Sequence, residues 1–203
     1  MNRTTSNQFA ASRPGFSILA KRIVVSAGAV AMISVFAMGC SDSEPLLPQA
    51  YVNAQMGPGD NGAAKCQLPP GQWLVVGEQY SLKKDGDSQN GAAVSVSCEV
   101  RPESGVFIVT GQMVLKNGLN AGSMTITGRV TDKGDQTVNA LFTREDTGTF
   151  EQKDCSLSFA RIDKMGVAAG RTWGDVTCPT ATITDQGRVC AATAEVKFEN
   201  CTQ

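Results

Sequence analysis

The sequence predicts an all-β fold: an antiparallel β-sandwich of about eight or nine short strands, stapled by disulfides. Three observations carry this prediction. From about residue 92 onward, apolar residues alternate with polar ones at period two, the signature of a half-buried strand. Gly, Asn and Asp mark the breaks between these runs. Seven cysteines and no histidine among 203 residues suit an oxidised, exported chain.

The predicted strands follow in chain order. Gln72–Val76 and Val106–Leu115 are almost continuously apolar and read as central strands. Ala92–Val100 places Val94, Val96, Cys98 and Val100 on one face, with Ser95, Ser97 and Glu99 on the other. Ser123–Thr131 alternates Met124, Ile126, Gly128 and Val130 against polar residues, and Gln136–Arg144 does the same with Val138, Ala140 and Phe142. Cys155–Arg161 sets Cys155, Leu157 and Phe159 inward. The Gly-rich Met165–Thr177 reads as two short strands or one bulged strand. Cys190–Asn200 closes the series, with Ala192, Ala194, Val196 and Phe198 inward and Thr193, Glu195, Lys197 and Glu199 outward. No run after residue 39 has a helical period.

Ahead of this domain the composition changes. Residues 1–39 carry Arg3, Arg13, Lys21 and Arg22 and no acidic residue, and Ile23–Met38 is a sixteen-residue run without a charge. A basic stretch, an apolar stretch and a small residue in that order form a secretory signal. The run is shorter than the roughly 18–20 residues a permanent transmembrane helix needs. Its end, Ala37-Met38-Gly39-Cys40, resembles the lipobox of bacterial lipoproteins. That resemblance implies cleavage before Cys40 by signal peptidase II, a diacylglycerol thioether on its sulfur, and a membrane as partner through the lipid. Ser41 stands where an Asp favours inner-membrane retention in enteric bacteria, so the outer membrane is the expected destination. The WGDVTC … CAATAEVKFENC ending, Trp173–Cys178 and Cys190–Cys201, resembles uncharacterised cysteine-containing lipoproteins of myxobacteria, a likeness that implies no activity.

The expected organisation is therefore a signal peptide over 1–39, a lipidated N-terminus and tether over 40–64, and a β-sandwich over 65–203. The tether reading rests on Pro45, Pro48 and Pro58 together with Gly57, Gly59 and Gly62. Its one apolar pair, Leu46-Leu47, is the one spot able to dock, and a solvated spacer is the expected reading. Four of the 18 Lys and Arg lie within the first 39 residues and none of the 19 Asp and Glu does, so the remaining 164 residues carry a net charge of −5. That surface argues against nucleic acid as a partner.

With Cys40 assigned to lipid, six cysteines remain, which allow many connectivities. Parity and proximity suggest Cys98–Cys155 across the core, Cys178–Cys190 around an eleven-residue loop, and Cys66–Cys201 joining the domain ends. A thiolate metal site is disfavoured, because no C-x-x-C pair and no histidine is present.

The missing histidine also excludes Ser-His-Asp and Cys-His catalysis. Gly86-Asp87-Ser88 resembles the nucleophile block of GDSL hydrolases, but that family needs a histidine to activate the serine. Within Lys83–Gly91, the residues Asp85, Asp87 and Asn90 echo an oxygen cage for Ca2+. The plainer reading is a hairpin turn with Asn90-Gly91 at its positive-φ positions. Glu99, Glu103, Glu145 and Asp146 are the carboxylates available to a histidine-free hydrolase. Trp73 and Trp173 read as core pieces, although an exposed Trp173 would suit a glycan. The expectation is a non-enzymatic envelope lipoprotein whose β domain binds a protein or glycan ligand or has a structural role. The alternatives are a calcium- or carbohydrate-binding module and a carboxylate hydrolase.

Overall fold

Main-chain pairing accounts for most of the chain. The structure, a computed structural model, describes residues 46–118, 120–183 and 185–203. The signal-like segment, the lipobox and Cys40 lie outside the described residues. The strands are β1 (Gln49–Gly57), β2 (Gly71–Val76), β3 (Lys83–Lys84), β4 (Ser88–Gln89), β5 (Ala92–Glu103), β6 (Val106–Lys116), β7 (Gly122–Val130), β8 (Gln136–Arg144), β9 (Gly148–Ser158), β10 (Gly166–Ala168), β11 (Arg171–Ile183) and β12 (Arg188–Glu199). One four-residue helix, α1 (Ala63–Cys66), lies between β1 and β2.

The fold is all-β, antiparallel and disulfide-stapled, as predicted. The strands number twelve, and they form one sheet in the order β2-β1-β12-β11-β9-β8-β7-β6-β5-β4, with β3 beside β1 and β10 beside β11. Successive strands from β4 to β9 are neighbours, as short connections require. The two-residue turns Asn90-Gly91 and Ser104-Gly105 take φ values of 52° and 81°, and 51° and 84°. That mirror-image geometry matches the strand twist, and glycine adopts it without a Cβ penalty.

The sheet curls until its ends nearly meet as a barrel. On one side the C-terminal residues cross to β5: Val100 N donates to Thr202 O at 2.8 Å, and Thr202 N donates to Cys98 O at 3.0 Å. On the other side the turn after β3 pairs with β5 through Gly86 N to Val94 O at 3.1 Å and Val94 N to Asp87 O at 2.8 Å. The two flanks share one interior. Phe142, Phe150, Phe198, Leu74, Met113 and Met124 are among its largest fully buried side chains. The approach across it is close: a Cβ added to Gly111 in β6 would lie 2.7 Å from Cε2 of Phe198 in β12.

The inward faces predicted for β5, β7, β8 and β12 are the buried faces. Met165–Thr177 resolves into two strands, β10 and most of the first half of β11. The tether expectation needs correction from Gln49 onward. Gln49–Gly57 is an internal strand, paired along its whole length with β12 and along Val52–Met56 with β2. Ala50, Val52, Ala54 and Met56 alternate into the core, opposite Phe198, Val196, Ala194 and Ala192. Two of these four are alanines, so the segment looks weakly apolar in composition while its period is that of a strand.

All three expected disulfide pairings also need correction. The bridges are Cys66–Cys190, Cys98–Cys201 and Cys155–Cys178. Val176 pairs with Leu157 and Thr177 with Ser156, so the next rung sets Cys178 opposite Cys155 with 4.6 Å between their Cα atoms. That is the spacing of a directly facing pair. Cys98 lies on β5, remote in the sheet from β9, and instead meets the C-terminal segment that covers its edge. Cys190 meets Cys66 at the end of α1.

In the chain-entropy account, the 103-residue separation of Cys98–Cys201 stabilises by about 4.7 kcal/mol and the 23-residue separation of Cys155–Cys178 by about 3.4 kcal/mol. Replacing both members of the first pair by alanine is expected to lower the urea midpoint more than replacing both of the second. Equal midpoints would contradict the assigned closure.

Candidate functional site

Two features stand out above the packed barrel: a cavity at its incompletely closed seam and a polar cluster on its outer wall. The seam lies between β2, the last strand of the sheet, and the β4–β5 hairpin. Among the described residues no strand pairs with the outer side of β2. The Gln89 side chain bridges part of the gap: Gly77 N donates to Oε1 at 2.7 Å, and Nε2 donates to Val75 O at 2.8 Å. A single amide thus stands in for one peptide of a missing strand.

Beyond that plug the gap widens into a cavity of about 460 Å³. Its apolar wall includes Trp73, Leu74, Ala92 and Leu115, and its polar rim Gln72, Gln89, Asn90 and Asn120. Trp73 is placed there by a bulge. The β1–β2 register passes from Ala54↔Leu74 to Gln55↔Gln72, which leaves Trp73 as the extra residue and turns it inward beside Leu74. The indole is only 4% exposed. It meets Phe150 edge-on at 5.6 Å and 89°, and the Arg144 guanidinium carbon lies 5.4 Å from its ring centroid. Trp73 Nε1 is buried without a hydrogen-bond partner. An unmet buried donor costs about 1–3 kcal/mol. Among the described residues no ionisable side chain lines the cavity, so its chemistry is hydrogen bonding by amides over an apolar floor.

The outer-wall cluster centres on Glu195 of β12. Its Oε1 accepts from Trp173 Nε1 at 3.0 Å and from Gln79 Nε2 at 3.1 Å. Its Oε2 accepts from Arg161 NH2 at 2.8 Å and from Tyr51 OH at 3.4 Å. A carboxylate has about four lone-pair positions, and these donors fill them. Arg161 also binds Asp175, Nε to Oδ2 at 2.6 Å, and Asp175 stands directly opposite Glu195 in the ladder. The guanidinium therefore holds together two like charges that would repel. Trp173 is 7% exposed, with Lys197 Nζ 4.8 Å from its ring centroid. Its ring is part of this clamp and offers no open platform for a sugar. The cluster binds the loops of Gln79 and Arg161 against the barrel wall.

The residues expected to hold Ca2+ fall elsewhere. Asp85 Oδ1 accepts from Val96 N at 2.9 Å, and Asp87 Oδ2 accepts from Lys84 N at 2.9 Å. Asn90 occupies the turn between β4 and β5 and faces the cavity. The loop is the stitch that joins β3 to β5, with its carboxylates on main-chain amides. No group of three or more acidic or sulfur side chains able to hold a metal ion occurs among the described residues. Of the other carboxylates, Glu99 and Glu103 are brought together on the Arg101 guanidinium, each at 2.6 Å, and Arg129 also binds Glu103; Asp146 pairs with Arg144, and Glu145 is in the turn after β8.

Sequence reasoning missed Glu195 as a hub and Trp73 as a cavity wall. Glu195's four donors come from residues 51, 79, 161 and 173, which no local spacing connects. Compared with protein-family models, with curated proteins and with solved structures, the chain matches none.

Burial, together with the neighbouring Glu195 charge, raises the Tyr51 phenol above its ordinary pKa of 10.0. Below pH 10 the phenol is neutral in both folded and unfolded chains, and its contribution to stability is intact. As pH rises past 10 the unfolded chain ionises first, and stability falls until the pH passes the raised folded value. With Tyr80→Phe removing the second tyrosine, an ultraviolet phenolate titration of the folded protein should show a midpoint above 10. A midpoint at or below 10 would contradict this packing.

Proposed function

We propose that this chain is an exported, lipid-anchored protein of the bacterial envelope, placed in the outer membrane, whose disulfide-locked β domain works by binding and not by catalysis. The observation that carries the proposal is the cysteine count. Three bridges account for six of the seven cysteines. The seventh is Cys40, the residue that the lipobox resemblance assigns to lipid. Long-range bridges of this kind suit the oxidising space beyond the inner membrane.

The binding role is supported by the cavity beside Trp73. Its size falls within the roughly 300–1,000 Å³ range of small-ligand sites. Amides on its rim and the absence of ionisable groups among its described lining favour an uncharged hydrogen-bonding ligand. The non-catalytic reading is supported by Glu195, whose oxygens are fully engaged, and by the arginine partners of Glu99, Glu103 and Asp146.

The test is export of the wild type and of Cys40→Ser in a bacterial host fed labelled palmitate. The wild type should carry label and sediment with membranes. The variant, lacking the cysteine on which the lipobox cleavage depends, should be unlabelled, keep its N-terminal segment uncut, and retain all three disulfides. An unlabelled wild type, or a variant that still carries label, would refute the anchor.

A further inference from the structure

The described residues leave three large hydrophobic side chains exposed: Leu46, Leu47 and Tyr80. Leu46 is 76% exposed and Leu47 53% exposed. They are consecutive, and they sit where the chain enters the barrel, just ahead of β1. The main chain is held in place from Leu47 onward. Asn200 Nδ2 donates to Leu47 O at 3.2 Å, and Asp85 N donates to Pro48 O at 3.0 Å. Both leucines therefore present apolar surface from a fixed point on the barrel end.

Position in sequence says what lies near that point. Leu46 follows Cys40 by six residues. Fully extended, six residues span at most about 22 Å. The headgroup layer on each side of the hydrocarbon core is about 5–8 Å deep. A lipid on Cys40 thus keeps this end of the barrel within reach of its own leaflet. The tether expected from composition ran to residue 64 and would have allowed a much larger separation. The internal strand beginning at Gln49 removes most of that length.

We propose that Leu46 and Leu47 are a membrane-docking pair that inserts into the interface of the leaflet holding the Cys40 acyl chains and stands the barrel on that end. This rests on the lipid-anchor reading above. Apolar burial supplies the attraction, and tethering supplies a high effective concentration, so a weak contact is enough. Pro45 and Pro48 bracket the pair in sequence, and proline has no main-chain N–H to desolvate. Arg171 and Glu199 share a surface depression with Leu46, so the pair is bordered by one charge of each sign and apolar burial carries the docking. Tyr80 is not part of the pair. It lies in the β2–β3 loop, next to Gln79, which is bound to Glu195 on the barrel wall.

The test uses acylated protein in phosphatidylcholine–phosphatidylglycerol vesicles whose lipids are brominated near the top of the acyl chains. Leu46→Trp reports the docking position, and Tyr80→Trp reports the wall. Both sites are exposed, so neither change disturbs the core. Bromine quenching of the added indole, above the background of Trp73 and Trp173, should be at least threefold stronger at position 46 than at position 80. Equal quenching in protein whose intact mass shows acylation would overturn the docking pair and leave the anchor standing. A mass without acyl chains would overturn the anchor, and the docking inference with it.

Discussion

The rest of the structure depends on the two-sided main-chain ladder of β1. This strand pairs with β12 on one side and β2 on the other, and so joins the end of the chain to its beginning. Without it β2 would have no neighbour, and the edge of β12 would face solvent as a template for aggregation. The Trp73 bulge is a register shift against β1, and the β3 pairing that leads into the β5 stitch also starts on β1. Cavity, seam and barrel closure are all consequences of where this strand lies.

Closure itself is uneven, and the unevenness makes the site. Near β3 the chain reaches β5 through backbone and carboxylate hydrogen bonds. Near Thr202 it does so through backbone bonds backed by the Cys98–Cys201 bridge. Between β2 and β4, among the described residues, only the Gln89 amide spans the gap. An open stretch of sheet edge and an apolar floor come together there. On the outer wall polar groups are saturated instead: Glu195 has a donor at every position, which suits a clamp and not a reactive centre.

Much of this was legible in the sequence where alternation runs unbroken. In β5, β7, β8 and β12 the buried residues fall at every second position, Val94 to Val100, Met124 and Ile126, Val138 to Phe142 and Ala192 to Phe198, so period two identifies both strand and face. The Asn90-Gly91 turn was legible for a similar reason, since few dipeptides tolerate two positive φ values. Parity fails at bulges. Phe150 and Cys155 of β9 both point inward although they are an odd number apart, because the β8–β9 register shifts between them. Cys178 and Ala181 of β11 do the same. The start of β9 and the disulfide partners were lost this way. Parity says that a cysteine faces the core, and only strand order says which other cysteine it meets. β1 was hidden by composition, because alanines opposite Phe198 and Ala194 bury fully without a strongly apolar run. The cavity and Glu195 cluster were illegible because their members are distant in sequence.

Hydrogen exchange of the β1 amides tests the central claim most directly. A strand bonded on both sides exchanges only when the barrel opens as a whole. The amides of Val52, Ala54 and Met56 should therefore be as protected as those of Val196, Ala194 and Ala192 on β12. Exchange of β1 at the rate of a solvated spacer, with β12 still protected, would contradict the account.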